Sequence, residues 1–222
     1  MADNITFDDI RRNGEIKTYI ERGDEVMCAI GYTEHSFAHA MRTADISRRI
    51  LEELGYDDRY CELVQIASYM HDIGNAVNRV NHAQSGALMA FQILSRLGMD
   101  PSETIDIVTA IGHHDEATAY PVTPLAAALI IADKSDVRRS RVRSRDMDMF
   151  DIHDRVNYSV KKSELKLDIP NKHIVLRINI DTSLCAVMDY FEIFLDRMVL
   201  CKKSAAYLGL NFELMINNSQ LL

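Results

Sequence analysis

The chain has 222 residues, enough for one sizeable core or for a core with a small appendage. With 47% hydrophobic and 26% charged residues it has the composition of a globular protein, which excludes a disordered chain. The formal net charge of -8 argues against nucleic acid or an anionic membrane as a partner of the molecule as a whole.

The opening stretch "MADNITFDDIRRN" is acidic, with no basic region ahead of an apolar run, so it does not read as a secretory signal. Apolar runs fall short of the roughly 20 residues a bilayer requires. Cys28, Cys61, Cys185 and Cys201 are widely spaced and form no CxxC motif. They read as small buried hydrophobes of a reduced, cytoplasmic protein.

Residues 1–32 read as an N-terminal helical segment, and from residue 7 to about 140 helix follows helix. Glycine and proline punctuation falls near Gly31, Gly55, Gly98–Pro101 and Pro121–Pro124. In "EHSFAHAMRTADISRRILEELG", Phe37, Met41, Ala44, Ile50, Leu51 and Leu54 make one helical stripe. "CELVQIASYM" continues as helix into His71 and Asp72. "HAQSGALMAFQILSRLG" and "PSETIDIVTAIGHH" are two further helices, the second with Pro101 near its start. "PLAAALIIADKSDV" is almost entirely apolar before Asp133 and predicts a buried helix.

Beyond about residue 160 the periodicity changes. Leu165, Leu167 and Ile169 alternate with polar residues, as do Ile174, Leu176, Ile178 and Ile180 with Arg177 and Asn179 among others; the short "PNK" between them predicts a β-hairpin. A helix follows, with Asp181 or Thr182 as its cap and Leu184, Val187, Met188, Phe191, Leu195 and Met198 as its apolar stripe. "NFELMIN" predicts a third strand with Phe212, Leu214 and Ile216 on one face. The expected architecture is mainly α: a helical bundle over residues 33–150, followed over 151–222 by a small α+β appendage of hairpin, helix and strand.

Six of the eight histidines lie between residues 35 and 114, all on predicted helices or their ends: His35, His39, His71, His82, His113 and His114. Joined by Asp72 and Asp133, they form an imidazole and carboxylate set without thiolate. Such a set suits Fe, Mn, Co, Ni or Zn in a hydrolytic or oxygen-handling site rather than a structural cysteine-rich zinc. Neighbouring positions on a straight helix point about 100° apart, so His71 and Asp72 are poor chelators of one ion there. At a helix end His71 can serve one ion while the two oxygens of Asp72 bridge two.

The order His39, His71-Asp72, His82, His114, Asp133 resembles the HD-domain metal-dependent phosphohydrolase superfamily. "HAMRTA" at 39–44 resembles that family's H-x-x-R-V-A helix, and "MHDIGN" at 70–75 its H-D-I-G-K. "HAQSGA" at 82–87, "AIGHHDE" at 110–116 and "IIADKSD" at 130–136 carry the remaining positions. The stretches 133–141 and 151–158 broadly resemble uncharacterised bacterial members. The resemblance implies that His39, His71, Asp72 and Asp133 hold one metal, and that Asp72, His82 and His114 hold a second. It leaves His113 open as a ligand, and His35 open between a ligand and a second-sphere or substrate contact.

Two such ions would acidify a water to hydroxide and polarise a phosphoryl oxygen, so the implied activity is hydrolysis of a phosphate ester or anhydride. Phosphate needs cations, and "DKSDVRRSRVRSR" at 133–145 supplies them: Lys134, Arg138 and Arg139 are the expected substrate contacts, with Asn75 and Arg79 as further candidates. Arg141, Arg143 and Arg145 read as a solvated basic stretch or a dimer contact. Asp136 either orients Lys134 or is structural, and Asp115 and Glu116 read as second-sphere acceptors or acids. His153 and His173 receive no role. The expected partner is a small phosphorylated substrate such as a nucleotide, with a homodimer as an alternative association. Two alternatives remain open: a di-iron oxygenase on the same ligand set, and a regulatory sensor whose tail reports to a partner.

Overall fold

A computed structural model of the chain describes residues 4–144, 150, 152–217 and 219–221. Arg145 lies outside them. Two N-terminal helices, α1 (Phe7–Arg12) and α2 (Gly14–Ala29), precede α3 (Phe37–Glu53), α4 (Asp58–Met70), α5 (His82–Leu97), α6 (Pro101–Gly112) and α7 (Pro124–Lys134). The starts follow sequence chemistry. Ser36, Asp57, Asp100 and Thr123 each accept a backbone N–H in the first turn of α3, α4, α6 and α7, and Pro101 and Pro124 occupy first-turn positions whose N–H has no helical partner. Gly98 ends α5 with a φ of 88°, a conformation that costs glycine nothing.

α7 is the axis of the bundle. Leu125 through Ala132 are fully buried, as the uninterrupted apolar run predicts. Its neighbours α3, α4 and α6 pack around it, and on the remaining side it meets the C-terminal part of the chain. Only its last turn, Asp133 and Lys134, brings charge to the end of this apolar column.

The tail begins with a short helix, α8 (Ile152–Ser159), and runs directly into β1 (Val160–Asp168), β2 (His173–Ile180), α9 (Val187–Tyr207), β3 (Asn211–Ile216) and the two-residue β4 (Ser219–Gln220). The sheet order is β1-β2-β3-β4. β1 and β2 form the expected antiparallel hairpin, with Leu165 opposite Leu176. β3 pairs parallel to β2, Leu176 opposite Leu214, with α9 as the crossover. Phe212, Leu214 and Ile216 are buried, as the alternation in "NFELMIN" predicts. The outer edge of β1 is tied to α3, because Arg42 and Arg49 donate to the carbonyls of Ser163 and Leu165.

α9 departs from expectation. Asp181 accepts from the Ser183 N–H and hydroxyl in a local turn, and neither it nor Thr182 caps the helix, which starts at Val187. Asp189 accepts the Ala186 N–H there instead. Leu184 precedes the helix. Its buried face is Tyr190, Phe194, Met198, Cys201 and Ala205, whereas Met188 and Leu195 are exposed. α9 is apolar around much of its circumference, so periodicity alone does not choose a face. Packing against α7 and the sheet chooses it. One continuous apolar core results, running from Phe7 through α7 to Ile216.

Candidate metal centre

Every residue of the histidine and aspartate set sits at the end of an element. His39 lies in the first turn of α3, His71 caps the end of α4, and Asp72 opens a 3-10 turn over Ile73–Ala76. His82 is the first residue of α5, His114 follows α6, and Asp133 is in the last turn of α7. Helix ends expose side chains to a common point while the helix bodies bury their apolar faces.

Glycine sets the spacing between two of these ends. A Cβ added at Gly74 would stand 2.0 Å from the His82 carbonyl oxygen and 2.5 Å from the Gly86 nitrogen. One added at Gly86 would stand 3.2 Å from the His71 oxygen. The glycines of "HDIG" and "HAQSG" therefore let the start of α5 lie against the turn that carries Asp72, which brings His82 into range.

The Asp72 carboxylate divides between two groups of imidazoles. Its Oδ2 is 3.2 Å from His71 Nε2 and 3.8 Å from His39 Nε2. Its Oδ1 is 3.3 Å from His82 Nε2 and 3.8 Å from His114 Nε2. Asp133 Oδ1 closes the first group, 3.2 Å from His39 Nε2 and 3.8 Å from His71 Nε2. Three overlapping sets have all their donor atoms within 4.8 Å of one another: His39, His71 and Asp72; His71, His114 and Asp133; Asp72, His82 and His114.

The outer nitrogens fix the tautomers. Nδ1 of His71, His82 and His114 faces the carbonyls of Ser68, Arg79 and Ile111 at 2.7, 3.0 and 2.7 Å, and Nδ1 of His39 faces Asp136 Oδ2 at 2.8 Å. Each Nδ1 is thereby the donor, and each Nε2 turns a lone pair inward. Nε2 of His39 and of His71 is buried without a hydrogen-bond partner. His82 Nε2 and His114 Nε2 stand 3.1 Å apart, a distance that two nitrogens about 2.1 Å from a shared ion can span. Facing acceptors repel unless a cation lies with them, and Arg79 brings a guanidinium to 3.1 Å from His82 Nε2. The residues present fit divalent transition metals.

Charge in the cluster is coupled. Burial pushes the Asp72 carboxyl up, but the surrounding imidazoles, His71 first and then His114 and His82, hold it well below the usual carboxylate range. Asp133 behaves likewise: burial opposes ionisation, and Lys134 and His39 outweigh it. Burial drives His114 down to about 4. Both carboxylates are anionic and His114 is neutral near pH 7, the protonation states that metal ligation needs.

Around the cluster, the expected contacts divide. Lys134, Arg79, Glu116 and His35 line a cavity of about 490 Å³ with Asp72, Asp133, His82 and His114. His35 is in no donor set; its ring lies 5.8 Å from that of His39 and its Nδ1 faces the Thr33 carbonyl at 2.7 Å. His113 is in no donor set either, among the described residues. Asn75 is not at the cavity wall: it is buried beneath the site and donates to Asp72 Oδ1 at 2.9 Å. Asp136 does not orient Lys134; besides His39 it holds Arg42 and Arg138 at 3.0 and 2.8 Å.

The arginine run has another use. Arg138 pairs with Asp136 and Glu34, and Arg139 donates to the Tyr158 carbonyl while lying 4.5 Å over that ring. Arg141 donates to the Glu34 and Asp136 carbonyls, and Arg143 to Asp24 and to the carbonyls of Tyr32 and Thr33. Arg138 and Arg139 are therefore not cavity residues, and Arg141 and Arg143 are neither merely solvated nor free. Arg138, Arg141 and Arg143 together staple the segment 32–34, whose Tyr32 and Thr33 form one lip of the cavity.

The opposite wall comes from the tail. His153 and Asn157 of α8, and Ile193, Phe194 and Arg197 of α9, line the same cavity, so His153 is at the site and not apart from it. His173 is elsewhere, paired with Glu213 on the sheet at 2.5 Å. Arg197 Nε meets Glu116 Oε1 at 2.6 Å, and the same oxygen is 3.3 Å from Lys134 Nζ. No motif announces Arg197, and only the fold brings it there.

The chain is similar to known proteins in this region. Residues 36–138 match the HD domain family. Over 185 residues, 73% of this chain and 71% of the relative, it is 23% identical to the uncharacterized protein MJ1020 of Methanocaldococcus jannaschii. No helix among the described residues is long and apolar enough to cross a membrane. The matched span holds all six converging side chains, from His39 in α3 to Asp133 in α7, so the region that resembles the HD domain family is the region that builds the cluster.

Proposed function

We propose that the chain is a metal-dependent phosphohydrolase acting on a phosphate ester or anhydride of a nucleotide or another small phosphorylated molecule. The observation that carries this reading is the division of the Asp72 carboxylate, one oxygen toward His39 and His71, the other toward His82 and His114. His39, His71, Asp72 and Asp133 would hold one divalent ion, and Asp72, His82 and His114 a second. When bound, such ions supply Lewis acidity to a phosphoryl oxygen and lower the pKa of water.

The chain's own residues do the rest. Asp136 and the carbonyls of Ser68, Arg79 and Ile111 keep the imidazoles in the ligating tautomer. Lys134, whose ammonium is kept charged by Asp133 and Glu116 in spite of burial, stands at the cluster's edge to receive phosphate oxygens. Arg79 serves the same end beside His82. Four cations (Arg79, Lys134, Arg141, Arg197) and five carboxylates (Asp72, Glu116, Asp133, Asp154, Asp196) line the cavity. Two divalent ions would turn that slightly negative lining positive, which suits a multiply charged anion. Water supplies the entering oxygen as the leaving-group oxygen departs from phosphorus, so no protein nucleophile is needed. Ile30, Tyr32 and Ile193 add an apolar lip fit for the non-phosphate part of a substrate such as a nucleoside. Lys134 and Arg79 beside the cluster, suited to phosphate oxygens, favour the hydrolase over an oxygenase with the same ligands.

The test is phosphate release from a panel of nucleotides, dinucleoside polyphosphates, cyclic dinucleotides and sugar phosphates by protein loaded with Mn, Co or Fe. Turnover well above that of Asp72→Ala supports the reading. Equal rates across the panel contradict it.

A further inference from the structure

The cavity has a cationic group that the HD domain does not supply. α9 lies outside residues 36–138, yet it places Arg197 on the cavity wall beside Glu116. Glu116 Oε1 is shared by Arg197 Nε at 2.6 Å and Lys134 Nζ at 3.3 Å. Asp133, the other partner of Lys134 at 2.7 Å, belongs to the metal cluster. With Asp133 committed there, Lys134, Glu116 and Arg197 form a triad with one net positive charge at the cavity.

The simplest use of such a triad is to fasten the tail to the bundle. Packing makes that use superfluous. Tyr190, Phe194, Met198, Cys201 and Ala205 already bury α9. An ion pair taken out of water gains little over apolar contact at the same place. Arg197 also keeps access to the cavity, with 28% of its side chain exposed, and its guanidinium stacks 4.8 Å over Phe194, which fixes its plane. Its closest contact with Glu116 is made through Nε, and the residue lines the cavity, which sets a guanidinium fork beside an entering anion.

We propose that Arg197 and Lys134 form an anion subsite next to the metal cluster, so that the C-terminal part of the chain completes the substrate site. The subsite takes a phosphate or similar oxyanion, and Glu116 positions the two cations. The proposal rests on the phosphohydrolase reading for the identity of that anion as substrate, but the binding of the anion is measurable by itself.

The experiment is titration of the manganese-loaded full chain with inorganic phosphate by calorimetry, for the unaltered protein, Arg197→Met and Arg197→Lys, with bound manganese measured for each. Arg197→Met is expected to weaken phosphate binding about tenfold or more, the effect of losing a charge-assisted contact, with manganese content unchanged and partial recovery in Arg197→Lys. For any substrate turned over, the loss should fall on KM more than on kcat. Unchanged phosphate affinity in Arg197→Met, absence of phosphate binding by the unaltered protein, or loss of fold and manganese in both variants overturns the subsite. If phosphate binds through Arg197 but no phosphorylated compound is hydrolysed, the hydrolase reading fails and the subsite stands. If hydrolysis proceeds with a KM indifferent to Arg197, the subsite fails and the hydrolase stands.

Discussion

His39 and Asp136 are 97 residues apart in sequence, yet Nδ1 of one lies 2.8 Å from Oδ2 of the other, both side chains almost fully buried. Burial alone would favour a neutral carboxyl at Asp136. The hydrogen bond from His39 and the charge of Arg141 reverse that and hold it well below the ordinary carboxylate range. An anionic Asp136 fixes the proton on Nδ1 and turns the lone pair of His39 Nε2 toward Asp72 and Asp133. Asp136→Asn removes the charge but keeps the shape. It is expected to weaken metal binding about 10–100-fold, the usual cost of losing an outer-sphere partner, as read by competition with a chelator. Unchanged affinity would mean that Asp136 serves only its arginines.

The close approach at Gly74 makes a second prediction. An alanine methyl there meets backbone on both sides, His82 O and Gly86 N, and backbone cannot swing aside as a side chain can. Gly74→Ala should destabilise the fold by about 3 kcal/mol or more in urea unfolding. Gly14→Ala is the control. Its Cβ would meet nothing within 4 Å, and its effect should stay within about 0.5 kcal/mol.

Thiol reactivity tests the burial pattern of the tail. Cys28 is exposed; Cys61, Cys185 and Cys201 are buried. Burial raises the Cys61 and Cys185 thiols and pushes Cys201 up to about 12. The thiolate is the reactive form, so a raised pKa leaves these groups protonated at a labelling pH near 8. Ellman's reagent should modify Cys28 quickly and the other three only on unfolding. Rapid labelling of Cys201 in the native protein would contradict the packing of α9 on α7.

The histidine and aspartate cluster is legible in sequence because its order along the chain resembles the HD family's, and because His71, Asp72 and Asp133 are costly polar groups at the ends of apolar helical runs. The buried α7 and the hairpin were legible for the related reason that their hydrophobic patterns admit one reading. Arg138 and Arg139 misled because charge type is visible in sequence and direction is not: their guanidinium groups turn to Asp136, Glu34 and Tyr158 instead of the cavity. Asn75 follows the His-Asp pair closely, but the 3-10 turn carries it under Asp72. Arg197 and His153 were invisible as site residues because their place depends on how the tail folds back over the bundle. No local pattern encodes that return. The buried face of α9 is not legible because Met188 and Leu195 are as apolar as the residues that the core selects, and its start is not because Asp181 turns to Ser183 instead of the helix.

The central claim is that Asp72 is shared by two ions, and metal content reads it directly. Anaerobically purified protein, loaded and then dialysed, should retain two divalent transition-metal ions per chain, and Asp72→Ala, still folded by circular dichroism, should retain fewer than one. A folded Asp72→Ala chain with the same metal content as the unaltered protein would contradict the account.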